Sequence, residues 1–287
     1  MDRHLHIAII IPFYNEADHL AQCLDSFVQQ SKRPNQLILV NDNSSDDSPK
    51  IAETYTQKHN WIQLVHHESS KEHMPGQKVI NAFWYGVRHL KQDYDLIGKF
   101  DADIVLPKDY FSSLSPFFTK NQNLGLASGL LYIKKNDQWQ YESIADKTHV
   151  RGPIKLYSKG CFEAIGGPRA AIGWDTLDTL LAKYHGFETQ THLELIVKHL
   201  RPTGGAYTQK SRLMQGHAMY TMGYGFWISL IASAKTAMRS KKLAALTDNL
   251  AGFFHAKKTK TPFLVTSEEA RFIRKTRWKG VLGKLGL

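Results

Sequence analysis

The sequence is poor in cysteine: its 287 residues include two, Cys23 and Cys161. Two cysteines are too few for a disulfide framework, and their separation matches no metal-ligand spacing. These observations exclude a small disulfide-stabilised scaffold and a zinc site built from cysteines. They also predict a reducing compartment, so we expect the protein in the cytoplasm.

The sequence also lacks a convincing membrane-spanning run. Residues 213–234 carry no formal charge, and these 22 residues are long enough to cross a bilayer. Gln215, His217, three glycines and several hydroxyl groups make the stretch a poor span, and it could equally pack against the rest of the protein. The N-terminal apolar run is short and has no small-residue cleavage site, so we interpret it as a strand and not as a signal peptide.

Acidic residues are scarce in the C-terminal part of the chain. Residues 235–287 hold thirteen Lys and Arg against three acidic residues, a net charge of +10, whereas the other 234 residues carry 24 basic and 23 acidic side chains. Basic and apolar residues alternate there, for example over residues 272–279, as in helices that lie in a membrane interface. We therefore predict peripheral association with an anionic membrane, on the inner face of the cytoplasmic membrane. A solvated basic helix is the plainer alternative.

Apolar runs alternate with amphipathic patterns in the first 100 residues. Strands are predicted over residues 6–11, 36–40 and 61–66, with helices between them. This rhythm predicts parallel pairing in a doubly wound α/β sheet. We expect a catalytic domain over residues 1–210 and a helical, basic amphipathic region over residues 211–287.

Polar clusters follow three of the predicted strands. In sheets of this class, ligands bind beyond the carboxyl ends of the strands. Residues 12–16 and 41–48 lie there. Residues 41–48 could simply form a turn with a helix cap. Glu16 could simply complement the dipole of the helix that follows it. Asp42 directly follows its strand, where a carboxylate can accept hydrogen bonds from a base or a ribose.

Two aspartates, Asp101 and Asp103, end the apolar run 96–100. In an extended chain alternate side chains share a face, so both carboxylates would point the same way. They would repel each other unless a divalent cation with oxygen ligands lay between them. The alternative is an Asp-x-Asp turn in which the carboxylates bond their own backbone.

Two further charged residues lie at predicted helix starts. Lys78 falls in a first turn, where a cation opposes the helix dipole; a diphosphate partner would explain it, and an exposed lysine is the alternative. Asp175 follows Gly173 at the start of another helix. It could cap the helix, or it could act as a general base for an acceptor hydroxyl. Asp178, in the same helix, is expected to be structural.

Together these motifs resemble glycosyltransferase family 2, the inverting group with the GT-A fold, over about residues 5–205. The matching runs are IIIPFYNE, LVNDNSSDDS, PGQKVINAFWYG, FDADIVLP and GWDTLDTLLAKYHGF. The resemblance implies a GT-A sheet, doubly wound and mixed, a nucleotide-diphosphate sugar donor and a Mn or Mg ion.

The resemblance also implies roles for individual residues. Asp42 is implied to contact the base, and Asp101 to lie near the ribose or the metal. The other expected nucleotide-sugar contacts are Pro12, Tyr14, Glu16, Lys78 and Arg201. Arg201 could pair with phosphate through its forked donors or simply with a surface carboxylate. Asp103 is implied as a metal ligand, and either His199 or His217 would complete the metal site. The family has Glu-Asp where this chain has Trp174-Asp175, so Asp175 alone is carried over, as the catalytic base.

We therefore expect an inverting glycosyltransferase that uses a nucleotide sugar, in particular a UDP-sugar, and a cell-envelope or lipid-linked acceptor. A nucleotidyltransferase is the enzymatic alternative, but it would need a glycine-rich, basic phosphate loop after the first strand, which residues 12–16 do not provide. A protein that uses its basic tail to bind nucleic acid or membrane is the other alternative. A nucleic-acid partner is not expected, because the tail contains no recognisable nucleic-acid-binding module.

Overall fold

The structure is a computed structural model, and it describes residues 5–69, 76–202 and 208–283. Over these residues the chain forms one mixed sheet and a set of surrounding helices. The strands are β1 Ile7–Phe13, β2 Gln36–Asp42, β3 Ile62–His67, β4 Leu96–Phe100, β5 Ile104–Val105, β6 Leu124–Lys135, β7 Gln138–Tyr141, β8 Ile154–Ser158 and β9 Glu188–His199. The helices are α1 Ala17–Val28, α2 Ser48–Lys58, α3 Gln77–Val87, α4 Tyr110–Lys120, α5 Lys159–Ala164, α6 Trp174–Tyr184, α7 Gln209–Thr221, α8 Phe226–Ser240, α9 Ala244–Lys258 and α10 Ser267–Leu282. Pro75, the first residue of the PGQKVINAFWYG run, lies outside the described residues.

The sheet has the strand order β3-β2-β1-β4-β8-β6-β9-β5, with β7 paired to β6. The first four strands are mutually parallel, as the alternation of strands and helices predicts, and β8 then joins β4 in the antiparallel sense. The mixed α/β sheet expected from the sequence is therefore confirmed.

The first strand is longer than expected, because β1 includes Pro12 and Phe13 and does not end at Ile11. Pro12 lies opposite Val40 of β2, while the pairing of β1 with β4 ends at Ile10. A proline lacks the N–H that a second neighbouring strand would need. It is tolerated here because β1 has a neighbour on one side alone at this point. The last strand, β9, runs over twelve residues and pairs with β6 in parallel.

The apolar core lies on both faces of the sheet. One layer packs beneath α1, α2 and α4. The other layer packs beneath α3, α5 and α6, and it continues into the C-terminal helices, where Met219, Ile228, Phe253 and Ile273 join Leu181 of α6 in one buried cluster. The C-terminal region is helical, as expected, and it packs against α6 on this side of the catalytic sheet.

Two contacts fix the C-terminal helices in place. Arg169 donates hydrogen bonds to the Glu269 carboxylate at 3.0 and 3.1 Å, and Glu269 also completes a capping box with Thr266 at the start of α10. Helices α7 and α9 touch through backbone, since a Cβ on Gly216 would lie 1.8 Å from the Asn249 carbonyl oxygen. Residues 213–234 form parts of α7 and α8 with a break between them. Within the described ranges, every helix is too short or too polar to cross a bilayer.

Candidate active site

Asp101 and Asp103 lie in a turn between β4 and β5, so the expectation of an extended Asp-x-Asp segment is wrong. The Asp101 N–H donates to the Pro153 carbonyl at 2.9 Å, which fixes the chain at the end of β4 beside β8. The chain then turns, because β5 pairs with β9 and not with β8. The two carboxylates still lie close together, through the turn and not through strand alternation.

The pairing of β5 with β9 brings His199 to the same place. Ile104 lies opposite His199, and the Leu200 N–H donates to the Asp103 carbonyl at 2.8 Å. One potential ligand atom from each of Asp101, Asp103 and His199 lies within 4.8 Å of the others. Two carboxylates and an imidazole form a donor set that suits a divalent ion such as Mn²⁺. His199, and not His217 of α7, is therefore the histidine of this group.

Positive side chains surround the two carboxylates. Lys99, buried in β4, contacts Asp101, and Arg201 lies 3.2 Å from Asp103 while also bonding Glu16. Burial raises the pKa of Glu16 to about 7 against the opposing effect of Arg201, with Asp103 and Asp101 adding to the rise. One carboxylate oxygen of Glu16 is buried without a hydrogen-bond partner. These contacts gather four of the implied residues, Glu16, Asp101, Asp103 and Arg201, into one cluster.

His199 lies between two carboxylates. Its Nε2 is 3.5 Å from Asp103 Oδ1, and its Nδ1 is 3.0 Å from Glu142 Oε2. Burial alone would lower the pKa of His199, but the two carboxylates outweigh it and raise the pKa to about 9. The pKa of Asp103 is lowered: burial raises it, but His199, Arg201 and Lys99 together outweigh burial.

Asp175 lies in the first turn of α6, after Gly173, whose positive φ of 76° allows the sharp entry into the helix. His149 Nε2 is 3.4 Å from Asp175 Oδ2, and the side chain is 28% exposed. Burial raises the pKa of Asp175, but His149, Lys155 and the Gly152 N–H outweigh burial and hold it well below its usual range. The carboxylate is therefore ionised at neutral pH and reachable from solvent.

The segment 151–153 joins Asp175 to the metal-ligand group. The Pro153 carbonyl accepts from Asp101, and the preceding residue, Gly152, donates to the Asp175 carboxylate. A Cβ on Gly152 would lie 2.8 Å from the Trp174 ring, so the close approach of this segment to α6 requires glycine. The Asp101 and Asp103 pair and Asp175 are more than 70 residues apart in sequence, and both contact the same short segment, residues 151–153.

Asp42 and Lys78 lie at a separate part of the same sheet edge. Asp42 Oδ1 is 3.0 Å from His67 Nδ1 at the ends of β2 and β3. A polar cavity of about 400 Å³ is lined by His67, Glu68, Ser69, Lys78, Asn81, Trp84, Tyr85 and Arg88. Lys78 is half-buried in the first turn of α3. Of the remaining implied residues, Pro12 is buried in β1 and Tyr14 is 58% exposed just beyond it.

Sequence reasoning missed four residues of this site: Lys99, Glu142, His149 and Arg151. Lys99 had a visible signal, because it is a charge inside an otherwise apolar strand directly before Asp101. Glu142 and Arg151 lie outside every motif, and the register of β6, β7 and β8 brings them to His199. His149 has no signal beyond its being a histidine.

Known proteins resemble the chain over this region. The profile described as Glycosyl transferase family 2 matches residues 8–170. Putative glycosyltransferase EpsH of Bacillus subtilis is 33% identical over 60% of this chain and 46% of its own length. The minor teichoic acid biosynthesis protein GgaA of the same organism is 28% identical over 42% of this chain and 26% of its own length. The chain thus matches less than half the length of these curated relatives.

Solved structures share the fold. Residues 1–349 of S. aureus TarS, in complex with UDP-GlcNAc, align with a TM-score of 0.60 and 14% identity over 97% of this chain and 92% of that chain. The mannosyltransferase PcManGT of Pyrobaculum calidifontis, in complex with GDP-Man and Mn²⁺, aligns with a TM-score of 0.55 and 15% identity, over 98% of this chain and 81% of that chain.

Proposed function

Because the chain belongs to glycosyltransferase family 2, we propose that it transfers a sugar, with inversion, from a UDP-sugar to a cell-envelope or lipid-linked acceptor. The observation that carries the proposal is the meeting of the Asp101, Asp103 and His199 group with Asp175 around residues 151–153. Solved structures of the same fold hold UDP-GlcNAc or GDP-Man with Mn²⁺. The relationship to a teichoic acid biosynthesis protein supports a cell-envelope acceptor.

The metal would be held by Asp101, Asp103 and His199, whose donor atoms fit a divalent ion. It would supply positive charge to the diphosphate leaving group. Arg201, whose side chain is 54% exposed, lies 3.2 Å from Asp103 and offers forked donors to phosphate oxygens. Asp42 and Lys78 lie by the polar cavity beyond β2 and β3, and there they would bind the nucleoside and phosphate of the donor.

Asp175 would act as the base. The acceptor oxygen attacks the anomeric carbon as the bond from that carbon to the phosphate oxygen breaks, and the hydroxyl proton passes to Asp175. Direct displacement by one base inverts the configuration. The lowered pKa of Asp175 keeps the carboxylate ionised, and His149 at 3.4 Å helps to hold it so.

The proposal is tested with Asp175→Asn, which removes the basic carboxylate and keeps the shape. We expect sugar transfer to fall by at least the roughly 10²-fold that general bases contribute, while calorimetric binding of UDP-sugar with Mn²⁺ stays within about twofold. Asp18→Asn, the same change at an exposed site of α1, is the control. Full transfer by Asp175→Asn would overturn the assignment.

The donor class is tested by thermal shift with UDP-, GDP- and CDP-sugars, each with and without Mn²⁺. A UDP-sugar should give the largest Mn-dependent stabilisation. Release of UDP marks glycosyl transfer, whereas release of pyrophosphate would mark the alternative nucleotidyltransferase.

Peripheral membrane binding by the C-terminal helices is also part of the proposal. Large apolar side chains are exposed on α8, on α9 and on the loops around them: Trp227 (65%), Met238 (80%), Leu243 (73%), Phe254 (48%) and Phe263 (55%). Basic residues lie among them in the sequence, and each contributes about 1 kcal/mol near an anionic leaflet. Exposed apolar side chains interspersed along the chain with basic residues are typical of a segment that binds an anionic lipid interface.

Sedimentation with phosphatidylglycerol vesicles at low salt tests this. We expect the chain to pellet with these vesicles and not with neutral ones, and Leu243→Ser to weaken binding. Leu193→Ser, at a leucine that is 54% exposed on β9, is the matched control. Recovery of the whole protein in the supernatant would reject membrane association.

A further inference from the structure

Glu142 is a buried carboxylate that belongs to none of the motifs. It directly follows β7, is 2% exposed, and its N–H donates to the Leu131 carbonyl at 2.9 Å. Its side chain bonds Arg151 and lies 3.0 Å from His199 Nδ1. Burying a carboxylate costs free energy unless the group is paired. Packing alone therefore does not explain why a carboxylate lies at this position beside an imidazole.

The geometry at His199 distinguishes its two ring nitrogens. Nδ1 faces Glu142, and Nε2 faces Asp103 and the metal-ligand group. When Nδ1 donates its hydrogen to a carboxylate, the neutral ring has its lone pair on Nε2. This is the nitrogen that a cation beside Asp103 would bind. Carboxylate partners of this kind orient metal-binding histidines and increase their basicity.

Arg151 supplies the counter-charge for Glu142. It is 6% exposed and its guanidinium donates to the same Oε2 atom that faces His199. With this partner the Glu142 carboxylate can stay ionised in the interior. Arg151 is also the first residue of the segment 151–153, which contacts Asp101 and Asp175. The Glu142–Arg151 pair therefore connects His199 to the segment that holds both aspartates.

We propose that Glu142, paired with Arg151, is a positioning residue that holds His199 with Nδ1 facing the Glu142 carboxylate and Nε2 directed at the divalent cation. The inference rests on the proposed metal-dependent transfer, because it concerns the residue behind a ligand of that metal. Glu142 is not one of the three grouped ligand residues, and it would act through His199.

The test measures Mn²⁺ affinity by electron paramagnetic resonance of free Mn²⁺, on the full chain with UDP and without an acceptor. Two variants are compared: Glu142→Gln, which keeps the shape, and the double variant Glu142→Leu with Arg151→Met, which removes both charges together. Glu163→Gln, the same change on an exposed glutamate of α5, is the control. Melting temperatures are recorded for all of them.

We expect the Mn²⁺ dissociation constant to rise roughly 10- to 100-fold in both Glu142 variants and to stay unchanged in Glu163→Gln. A purely structural pair would behave differently: the charge-balanced double variant would melt near the wild type and bind Mn²⁺ as tightly. That result would overturn the inference. If the double variant does not fold, an unchanged Mn²⁺ affinity in Glu142→Gln would overturn it instead. Absence of Mn²⁺ binding by the wild type would instead contradict the proposed metal-dependent function.

Discussion

The buried pair of Lys155 and Asp178 makes a quantitative prediction about stability. Lys155 is fully buried, and its ammonium donates to Asp178 Oδ1 at 2.6 Å, to the Asp175 carbonyl at 2.6 Å and to Thr179 Oγ1 at 3.2 Å. The Tyr157 hydroxyl donates to the other oxygen of Asp178. Asp178 is thus a structural residue that neutralises a buried lysine beneath the start of α6.

The perturbation is Asp178→Asn. It leaves the buried ammonium without its hydrogen-bonded counter-charge and weakens a charge-assisted hydrogen bond. Breaking a buried ion pair from one side costs about 3–5 kcal/mol. We therefore expect the free energy of unfolding to fall by roughly 3–5 kcal/mol, with a drop in melting temperature on the order of 10 °C.

Urea unfolding followed by circular dichroism measures this cost. The double variant Lys155→Met with Asp178→Leu should lose less stability than the single variant, because it removes both charges and fills similar volume. The reasoning is refuted if Asp178→Asn stays within about 1 kcal/mol of the wild type. It is also refuted if the double variant is less stable than the single one.

Three further outcomes are expected. First, His149→Ala should raise the pKa of Asp175 by removing a hydrogen bond to its charged form, so the acidic limb of the kcat/KM profile should move to higher pH; a limb that does not move would contradict a role for His149 in keeping the base ionised. Second, Gly216→Ala should force α7 and α9 apart, because its Cβ would lie 1.8 Å from the Asn249 carbonyl oxygen; a cost of roughly 1–3 kcal/mol or more is expected in thermal unfolding, whereas Gly280→Ala, with open space around its Cβ, should cost nothing, and equal melting points would disprove the close contact. Third, chelation of divalent ions should abolish transfer and added Mn²⁺ should restore it; transfer that persists in excess chelator would contradict the proposed metal requirement.

Predictions from the sequence held best where the signal is local. The order of strands and helices, the parallel start of the sheet and the start of α6 at Trp174 all follow from apolar periodicity and a preceding glycine. The ends of strands were predicted less accurately. Pro12 was expected to end β1. A proline ends a strand only where a neighbouring strand needs its N–H, and whether β4 reaches that far depends on the length of β4.

The carboxylates of Asp101 and Asp103 lie close together, as expected, but the extended conformation from which this was predicted is wrong. Their nearness was expected from strand alternation, but the chain turns at Ala102, with Asp101 bonded to Pro153 before the turn and β5 paired with β9 after it. A hydrogen bond between residues 52 positions apart leaves no mark on local periodicity. His199 was named from the family resemblance, and the pairing of β5 with β9 decided between it and His217.

The class of sheet and the residue types at the ends of its strands can be read from the sequence, because alternation and helical spacing report which side of a segment is buried. Three pairings became visible in the folded chain: Glu142 and Arg151 beside His199, Lys155 with Asp178, and the C-terminal helices against α6. These pairings depend on strand register and on helix packing across long stretches of chain. Such contacts arise when the whole core is assembled, so no single segment encodes them.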